Sequence, residues 1–458
     1  PLWGSRIRAP LTATALRLSD STDVDRPLAS YDVEASRAHV RELHRLGLVD
    51  AEGAVRLDAA LTSIGADMAE GTFSWDPSQE DVHMNVEAAL RTAVGPELAG
   101  QLQAGRSRNE EVVSDERRWL LDATGALDDA ARRLQRTLIG LAEAQVGAVV
   151  PAHTHTQPAQ PTLLAHHLAA YVEMLDRDRA RLSDARGRAD ASPAGSGAAV
   201  GSGLAIDRDA VATQLGFRTI TANSLDAVSD RDYASEVVAA CAIALGHLSR
   251  LAADLVLWST PYYRFVRIGD GHATGSSMLP NKRNPDVAEL IRARAARAQG
   301  DLLTVLAVQS GLPLGYHRDL QDTRAPMQRT VDSLALCLAA ADEMLAGLTF
   351  DTDAMGAAAS AGHATATALA ERLVRAGVPF RDAHWRVGEL VATAEAAGCD
   401  LSQLPLDTIR DALPELVEHD PIVPTVAEAV AAADVPGGTA PDRVRAALAA
   451  LRERIPDR

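Results

Sequence analysis

The sequence contains few aromatic residues and few cysteines. Phe, Trp and Tyr together make up 3% of the 458 residues, whereas apolar residues as a class make up 47%. An interior with so few rings must be assembled from small side chains at close spacing, which favours packed helices over a sheet sandwich. The three cysteines, Cys241, Cys337 and Cys399, lie far apart along the chain. Their spacing predicts neither a disulfide framework nor a metal site, and it is typical of a protein in a reducing cytoplasm.

An excess of positive charge is also missing. The 45 Lys and Arg residues are outnumbered by 62 Asp and Glu residues, which gives a formal net charge of -17. A surface of this sign is unsuited to nucleic acid and to anionic membranes, so neither is expected as a partner. The chain has no run of about 18 apolar residues, and its N-terminal stretch PLWGSRIRAPLTATAL lacks the apolar core of a secretory signal. We therefore expect a cytoplasmic protein that does not span a membrane.

Helical periodicity dominates the sequence. Apolar residues recur at three- and four-residue steps over five long segments, which predicts five long helices. These segments are residues 110–149, 161–188, 230–257, 285–309 and 325–348. Shorter helical segments precede and follow them, and no alternating run is long enough to predict a sheet. The expected fold class is all-α with three helical domains: an N-terminal domain (1–105), a central bundle of five long helices (106–357) and a C-terminal domain (358–458).

A polar loop, TGSSMLPNKRNPD, lies between the third and fourth long segments at Thr274–Asp286. Its end predicts a helix start, with Asn284 as the N-cap and Pro285 at the first helical position. The free amides of a helix start favour anions, and the loop adds the hydroxyl of Ser276 and the charge of Lys282. By themselves these features also fit an ordinary Ser- and Gly-rich loop before a capped helix.

Four further polar clusters lie at predicted helix ends. They are Ser107, Arg108 and Asn109 at the start of the first long helix; Thr154, His155 and Gln157 in a Pro-bounded turn after it; Asn223, Ser229 and Arg231 at the start of the third; and Tyr316, Arg318, Gln321 and Arg324 after the fourth. In an elongated bundle, helix ends from different subunits can meet only if the subunits pack side by side in opposite directions.

These stretches resemble segments typical of the argininosuccinate lyase family, within the fumarase/aspartase superfamily. GSSMLPNKRNP is similar to the superfamily pattern GSSxMPxKxNP, and GRSRN, THTQPAQP, SLDAVSDRD, GLPL and GVPFRDAH occur in the family's order over nearly the whole chain. The resemblance implies a helical homotetramer with a twenty-helix core, in which three subunits build each active site, without a metal or an organic cofactor. It also implies reversible elimination of fumarate from an N-substituted aspartate.

The catalytic roles follow from this resemblance and from the chemistry. Removing a proton from the carbon beside a carboxylate creates a dianionic aci-carboxylate, which needs positive charge and hydrogen-bond donors in a dry site. By resemblance Ser276 is the base, and its alkoxide requires stabilisation by nearby amides and a cation. His155 is expected on the leaving-group side, as an acid or as the orienter of one, because an imidazole titrates near the operating pH. Lys282, Asn284 and Arg231 supply positive charge and donors.

The remaining candidate residues bind substrate by resemblance. Ser107, Asn109 and Thr154 are expected to hydrogen-bond the succinyl carboxylates. The amine portion is anchored by Ser21, Asp25, Asp81, Tyr316, Gln321 and Arg324. Arg108, Gln157, Arg231 and Ser277 complete the predicted substrate-binding set.

Several positions depart from the family pattern. Arg324 stands where the family has Lys, and a planar guanidinium does not simply replace an ammonium in a fixed site. The other departures are Glu110 for Asp, Ala104 for Thr, His153 for Tyr, Pro158 for Arg, Leu279 for Met, Asn281 for Gln, His317 for Asn, and Thr323-Arg324-Ala325 for an acidic-Lys-acidic run. Two alternatives therefore stay open beside argininosuccinate as the substrate. One is a sibling lyase acting on a different N-succinyl amine or amino acid, and the other is a catalytically silent structural homologue, as lens crystallins are.

Overall fold

The computed structural model describes residues 11–76 and 78–456. In chain order the helices are α1 (Ala13–Ser19), α2 (Thr22–Asp25), α3 (Ala29–Arg45), α4 (Ala51–Ala69), α5 (Val82–Val94), α6 (Pro96–Gln101), α7 (Arg108–Ala144), α8 (Leu164–Ala189), α9 (Arg208–Gln214), α10 (Ser224–Ser229), α11 (Asp232–Trp258), α12 (Asp286–Gln309), α13 (Arg324–Ala346), α14 (Thr352–Ser360), α15 (Ala366–Arg375), α16 (Phe380–Ala397), α17 (Leu406–Ala412), α18 (Val426–Ala432) and α19 (Pro441–Arg454). Helices α7, α8, α11, α12 and α13 match the five long segments, which confirms the all-α fold class.

Side-chain caps fix several helix starts near the predicted site. The carboxylate of Asp81 accepts a hydrogen bond from the amide of Met84 at the start of α5. The side chain of Asn223 accepts from two amides at the start of α10. Short polar side chains at these positions replace the hydrogen-bond partners that the first turn lacks, so they define where each helix begins.

The strands are short and pair two by two. They are β1 (Val149–Thr154), β2 (Gln157–Leu163), β3 (Ala191–Ser192), β4 (Thr219–Ile220), β5 (Val266–Arg267), β6 (Thr274–Gly275), β7 (Arg283–Asn284) and β8 (Thr349–Phe350). The pairs are β1 with β2, β5 with β8 and β6 with β7, all antiparallel, and β3 with β4, which is parallel.

The segment at residues 151–161 is part of a β-hairpin. The predicted turn between two long helices is confirmed at His155 and Thr156, whereas the strands on either side of it were not predicted. Strands β1 and β2 pair along their whole length, with a register shift between Ala152 and His153. Prolines disfavour a strand in general because they cannot donate to a ladder. In a two-stranded ladder, however, each strand has one unpaired edge, where a proline is tolerated.

Helix α11 is the only helix in the described part of the chain that is long and apolar enough to cross a membrane, judged by length and composition. Half of its most apolar window is buried inside the chain. Burial of this kind is typical of a core helix, which must be apolar on most sides to pack against its neighbours.

The chain divides into two compact units. The first comprises the described residues up to Asp128, Arg179–Ile243 and Arg297–Ala335, and the second comprises Asp129–Asp178, Ala244–Ala296 and the described residues from Leu336 onward. The first unit contains an apolar cluster between Val33 and Leu102, and the second contains one between Leu369 and Val423. These clusters fall inside the predicted N- and C-terminal domains, and the three-domain division remains a prediction.

Candidate active site

The predicted site residues are divided between the two units. The second unit carries Thr154, His155, Gln157, Ser276, Ser277, Lys282 and Asn284. The first unit carries Ser21, Asp25, Asp81, Ser107, Arg108, Asn109, Arg231, Tyr316, Gln321 and Arg324.

Ser276 lies in the loop between β6 and β7, where two backbone amides donate to its side chain. The hydroxyl oxygen accepts a hydrogen bond from the amide of Leu279 at 3.0 Å and one from the amide of Met278 at 3.3 Å. Donors directed at one oxygen stabilise negative charge on it. The loop therefore provides the amide environment that a serine alkoxide requires.

The pairing of β6 with β7 closes the base of this loop. Asn284 lies opposite Thr274, and its side-chain amide donates to the Thr274 hydroxyl at 3.4 Å. The same hydroxyl donates to the carboxylate of Asp286. The prediction of Asn284 as the N-cap of α12 was wrong by one residue, because the first helical hydrogen bond runs from the amide of Glu289 to the carbonyl of Pro285. Asn284 belongs to the ladder instead, where its backbone pairs across to β6.

The rest of the loop is exposed in a single chain. Ser277 and Lys282 are exposed and Ser276 is half-buried. Beside the serine, Met278 is 85% exposed and Leu279 is 47% exposed. Water on this loop would weaken every electrostatic interaction with a developing dianion. A dry site at Ser276 therefore requires a covering surface.

His155 lies on the two-residue turn that joins β1 to β2. Its φ is +55° and that of Thr156 is +60°, so both residues adopt the left-handed region. Two such residues form a type I′ turn, for which Asn-Gly is a preferred pair. A left-handed backbone costs an L-residue about 1–2 kcal/mol, and strain of this kind clusters at functional sites. The hairpin thus holds His155 in a strained and exposed position at its tip.

The candidate residues at the hairpin tip and those in the serine loop form two separate groups. Thr154 and Gln157 flank the turn and are exposed, as His155 is. Within residues 11–76 and 78–456, no hydrogen bond or ion pair joins His155 to Ser276. The structure therefore assembles each set locally but does not join the two.

A cleft of about 450 Å³ in the first unit is lined by predicted substrate residues. They are Ser107, Arg108, Asn109 and Tyr316. The other walls are rich in charge and include Glu80, Glu87, Glu111, His83, Arg106 and Arg318. Mixed charge of this density suits a small, highly polar ligand better than an apolar one.

Arg108 connects the start of α7 to the start of α5. One of its guanidinium nitrogens lies 2.9 Å from a carboxylate oxygen of Glu80 and 3.1 Å from one of Asp81. Asp81 also caps α5, so its carboxylate has a structural role and lies beside the cleft. Two of the predicted residues, Arg108 and Asp81, are thus brought into direct contact.

Ser21, Asp25 and Arg324 form a second connected group. The Ser21 hydroxyl donates to the Asp25 carboxylate at 2.6 Å, and the other Asp25 oxygen forms an ion pair with the Arg324 guanidinium. Asp25 is 1% exposed and Arg324 is 2% exposed. Gln321 joins through the carbonyl of Ser19, to which its side-chain amide donates at 3.4 Å. Four of the six candidate amine-anchoring residues therefore lie together, and the charges of Asp25 and Arg324 are already paired with each other.

Glu116 joins this group to Arg231. One carboxylate oxygen lies 2.9 Å from Nε of Arg324, and the other lies 3.3 Å from Nε of Arg231 and accepts a hydrogen bond from the Tyr233 hydroxyl. Burial opposes the charge of Arg231, but Tyr233 and Glu116 outweigh it and raise the pKa of that guanidinium. Burial opposes the charge of Arg324 likewise, and Asp25 and Glu116 raise its pKa.

A buried histidine with two aspartates lies next to the cleft. Nδ1 of His83 is 3.1 Å from a carboxylate oxygen of Asp32 and 3.9 Å from one of Asp115. Burial alone would lower the pKa of His83, but the Asp32 carboxylate overcomes this and raises it to about 10. Burial and the nearby Asp32 charge raise the pKa of Asp115. The three ligand atoms are close enough to hold a metal ion, but the imidazolium and Arg106, 3.9 Å from Asp32, already supply positive charge there.

Glu110, one of the departures from the family pattern, is a buried acid on α7. Its carboxylate accepts a hydrogen bond from the amide of Gly197 at 2.6 Å. Burial nevertheless raises the pKa of Glu110 to about 7. Gly197 has a φ of +60°, and a Cβ at this position would lie 2.5 Å from the carbonyl oxygen of Gly201. The Gly-rich stretch at residues 195–203 is therefore a tight loop that packs its backbone against α7.

Sequence reasoning missed Glu116 and His83. Glu116 follows Asn109 by seven residues, about two helical turns, so the periodicity of α7 places both on one face. His83 follows Asp81 by two residues in the stretch EDVH at residues 80–83. The predicted clusters lie at the ends of long helices, whereas Glu116 lies in the third turn of α7 and His83 lies in the first turn of the shorter helix α5.

Sequence comparisons identify relatives along nearly the whole chain. The profile of a family described as lyase matches residues 7–300, and that of the argininosuccinate lyase C-terminal region matches residues 363–433. The argininosuccinate lyase of Thiobacillus denitrificans is 42% identical over 453 residues, which span 99% of this chain and 98% of that protein. The argininosuccinate lyase of Thioalkalivibrio sulfidiphilus is 43% identical over 455 residues, 99% of this chain and 97% of that protein.

Solved structures with the same fold include more distant lyases. EDDS lyase in complex with formate has a TM-score of 0.85 at 26% identity and covers 96% of this chain and 88% of its own. A class II fumarase from Schistosoma mansoni has a TM-score of 0.75 at 16% identity, over 88% of this chain and 91% of its own, and shares the fold. With the serine loop, the helix-end clusters and these matches, the chain belongs to the argininosuccinate lyase family of the fumarase/aspartase superfamily.

Proposed function

We propose that this protein catalyses the reversible elimination of fumarate from argininosuccinate, with release of arginine. Its 42% and 43% identity to proteins named argininosuccinate lyase, over 99% of the chain, supports this substrate. The observation that carries the chemistry is the pair of backbone amides, from Met278 and Leu279, that donate to the hydroxyl oxygen of Ser276. These donors are directed at the oxygen that must carry negative charge.

The first chemical step is proton removal. The alkoxide of Ser276 takes a proton from the substrate carbon beside a carboxylate, and the electron pair moves into that carboxylate to form the dianionic aci-carboxylate. Lys282 and Asn284, in the same loop, together with Arg231, supply positive charge and donors to it. Their predicted roles rest on the family resemblance and on the electrostatic demand of this intermediate.

The second step breaks the carbon–nitrogen bond. The electron pair of the aci-carboxylate forms the fumarate double bond, and the bonding pair leaves with the nitrogen, which takes up a proton. His155 supplies this proton or orients the group that does, because a positioned imidazole can act as a general acid. The strained turn that holds His155 and the exposed Thr154 and Gln157 beside it support a role at the tip of the hairpin.

The site residues are proposed to meet in a homotetramer whose active sites are each shared by three subunits. Met278 and Leu279 expose apolar surface beside the base, although the intermediate requires a dry site. Along α12, Leu290, Leu303 and Leu306 are 61%, 68% and 48% exposed. Exposed leucines of this kind are typical of an interface between subunits. The proposed reaction uses neither a metal nor an organic cofactor. We place it in arginine biosynthesis in the cytoplasm.

A sibling lyase acting on a different N-succinyl amine is the second candidate function. The observation that favours it is the ion pair of Arg324 with both Asp25 and Glu116, which occupies groups expected to anchor the arginine portion. Fumarate addition to a panel of amines distinguishes this reading from the first.

The experiment that tests the proposed function follows fumarate absorbance while the purified protein is incubated with argininosuccinate. We expect fumarate to form at a rate proportional to enzyme concentration. Absence of fumarate at high enzyme concentration would refute the proposal. Fumarate formation that is lost in Ser276→Ala would exclude a catalytically silent structural homologue.

A further inference from the structure

Glu116 is a completely buried carboxylate that contacts two arginines predicted to bind substrate. It is 0% exposed on α7, with one oxygen 2.9 Å from Nε of Arg324 and the other 3.3 Å from Nε of Arg231. The Tyr233 hydroxyl donates to the second oxygen. Because each oxygen serves a different guanidinium, the carboxylate fixes the orientation of one arginine relative to the other.

The two guanidinium groups need this carboxylate to lie side by side. Arg231 is 1% exposed and Arg324 is 2% exposed, and the positive charge of Arg324 disfavours the charged form of Arg231. Like charges repel strongly where water is excluded. Asp25 and Glu116 match the two arginines in number, so a substitution that removes the carboxylate of Glu116 leaves one guanidinium charge without a partner.

The cluster is connected to the cleft through Ser21, which donates to Asp25 and whose amide donates to the carbonyl of Glu80, a cleft residue, at 2.9 Å. Tyr316 lines the cleft and lies within electrostatic range of both Arg231 and Arg324. In addition, Nη2 and Nε of Arg231 are buried and have no hydrogen-bond partner among residues 11–76 and 78–456. The same holds for Nε of Arg324 and one oxygen of Glu116, so the contacts of Glu116 with the two arginines are close ion pairs and not hydrogen bonds. A buried donor without a partner is costly, and it is satisfied when a ligand presents an acceptor.

We propose that Glu116 is a positioning residue that fixes Arg231 and Arg324 behind Tyr316 and thereby sets the affinity for the substrate. This inference rests on the proposed function, which it deepens. The carboxylate of Glu116 holds Arg324, which in turn holds Asp25 of the predicted amine-anchoring group. It also holds Arg231, so that Nη2 of this arginine is aligned to donate to an anionic group of the substrate. Glu116 itself touches protein groups only.

The variant Glu116→Gln keeps the shape of the side chain and removes its charge. A carboxamide has one acceptor oxygen, so its nitrogen must face one of the two guanidinium groups, and donor then meets donor. Glu116→Asp keeps the charge but is one methylene shorter, so it reaches one guanidinium but not both. Both variants therefore disturb the relative placement of Arg231 and Arg324. Glu116→Asp keeps the negative charge, so it still tests the proposal if Glu116→Gln does not fold.

A matched control is available in the same unit. Asp301 is 5% exposed and pairs with Arg329 and Thr330, outside the predicted site. Asp301→Asn removes one buried carboxylate charge beside an arginine, as Glu116→Gln does. It therefore reports what a general loss of stability does to the kinetic constants.

The experiment measures kcat and KM for argininosuccinate in wild type, Glu116→Gln, Glu116→Asp and Asp301→Asn, below the unfolding temperature of each. We expect KM to rise by about tenfold or more in Glu116→Gln and by a smaller factor in Glu116→Asp, while kcat stays within about threefold. In Asp301→Asn we expect KM to remain within about twofold of wild type. A purely structural role would instead lower the active fraction, and so kcat, at unchanged KM.

The outcomes separate this inference from the proposed function. If wild type releases fumarate from argininosuccinate but KM is unchanged in both Glu116 variants, or rises equally in Asp301→Asn, the positioning role is refuted. If wild type does not use argininosuccinate, the proposed substrate is refuted, and the same comparison is made with the amine that wild type adds to fumarate. A wild-type protein that forms fumarate from no N-substituted aspartate overturns both.

Discussion

The backbone amide of Leu279 donates a hydrogen bond to the hydroxyl oxygen of Ser276 at 3.0 Å, three residues back along the same loop. The amide of Met278 donates to the same oxygen at 3.3 Å. A serine side chain is a poor general base on its own because its basic form, the alkoxide, is scarcely populated in water at neutral pH. Two amide donors stabilise that alkoxide, so this contact is the local reason for assigning proton removal to Ser276.

The first prediction is that Ser276→Ala removes the base. We expect kcat to fall by about a thousandfold or more, because general-base and electrostatic contributions are lost together. Thermal unfolding should change little, since the hydroxyl is half-buried in an exposed loop. The exposed Ser360→Ala on α14 serves as the control and should keep kcat within about twofold. A Ser276→Ala variant with wild-type kcat would contradict the assignment.

The second prediction concerns the strained turn at His155 and Thr156. Asparagine tolerates the left-handed backbone better than either residue does. We expect His155→Asn to raise the melting temperature while it lowers kcat by about a hundredfold or more. Thr156→Asn should raise the melting temperature while the imidazole stays in place. Calorimetry and fumarate release, measured on the same samples, test whether the strained turn lowers stability while His155 supports activity. A lower melting temperature in both variants would contradict this.

The third prediction is a pH dependence of stability at Glu110. Burial raises its pKa to about 7 in the folded chain from the usual value of 4.5. The folded chain therefore keeps a proton that the unfolded chain releases, so this stabilisation is complete below about pH 4.5 and is lost as pH rises through about 7. The shift corresponds to on the order of 3 kcal/mol.

Glu110→Gln keeps the group neutral at every pH. We expect its melting temperature to exceed that of wild type at pH 8, with a smaller difference at pH 5. Scanning calorimetry across this range measures the effect. A difference that does not change with pH would show that Glu110 ionises in the folded chain as it does in the unfolded one.

The fourth prediction concerns the proposed tetramer. Leu303 and Leu306 lie three residues apart on α12, hence on one face, and are 68% and 48% exposed. A charge at Leu303 would have to be buried in any interface that covers this face. We expect Leu303→Arg to shift the sedimenting species to smaller sizes and to lower fumarate release in parallel. Val55→Arg, at an equally exposed position on α4, is the control and should change neither.

The sequence predicted the parts of this fold that depend on periodicity. The five long helices were found because apolar residues recur along them, and Ser276 was found because its loop resembles a superfamily pattern. The strands of the hairpin at residues 151–161 were missed because their prolines disfavour a strand in general, although an edge position tolerates them. Glu116 was missed because its role depends on Arg231 and Arg324, which are distant from it in sequence. Contacts between distant residues arise from tertiary packing, so local patterns carry little information about them.

The most direct test of the central claim is the specificity of the purified protein. It compares kcat/KM for argininosuccinate with the values for a panel of other N-substituted aspartates. We predict a kcat/KM for argininosuccinate of about 10⁴ M⁻¹ s⁻¹ or more, above every other compound, with fumarate and arginine released in equal amounts. Slow or undetectable turnover of argininosuccinate, together with faster release of fumarate from another N-substituted aspartate, would contradict it.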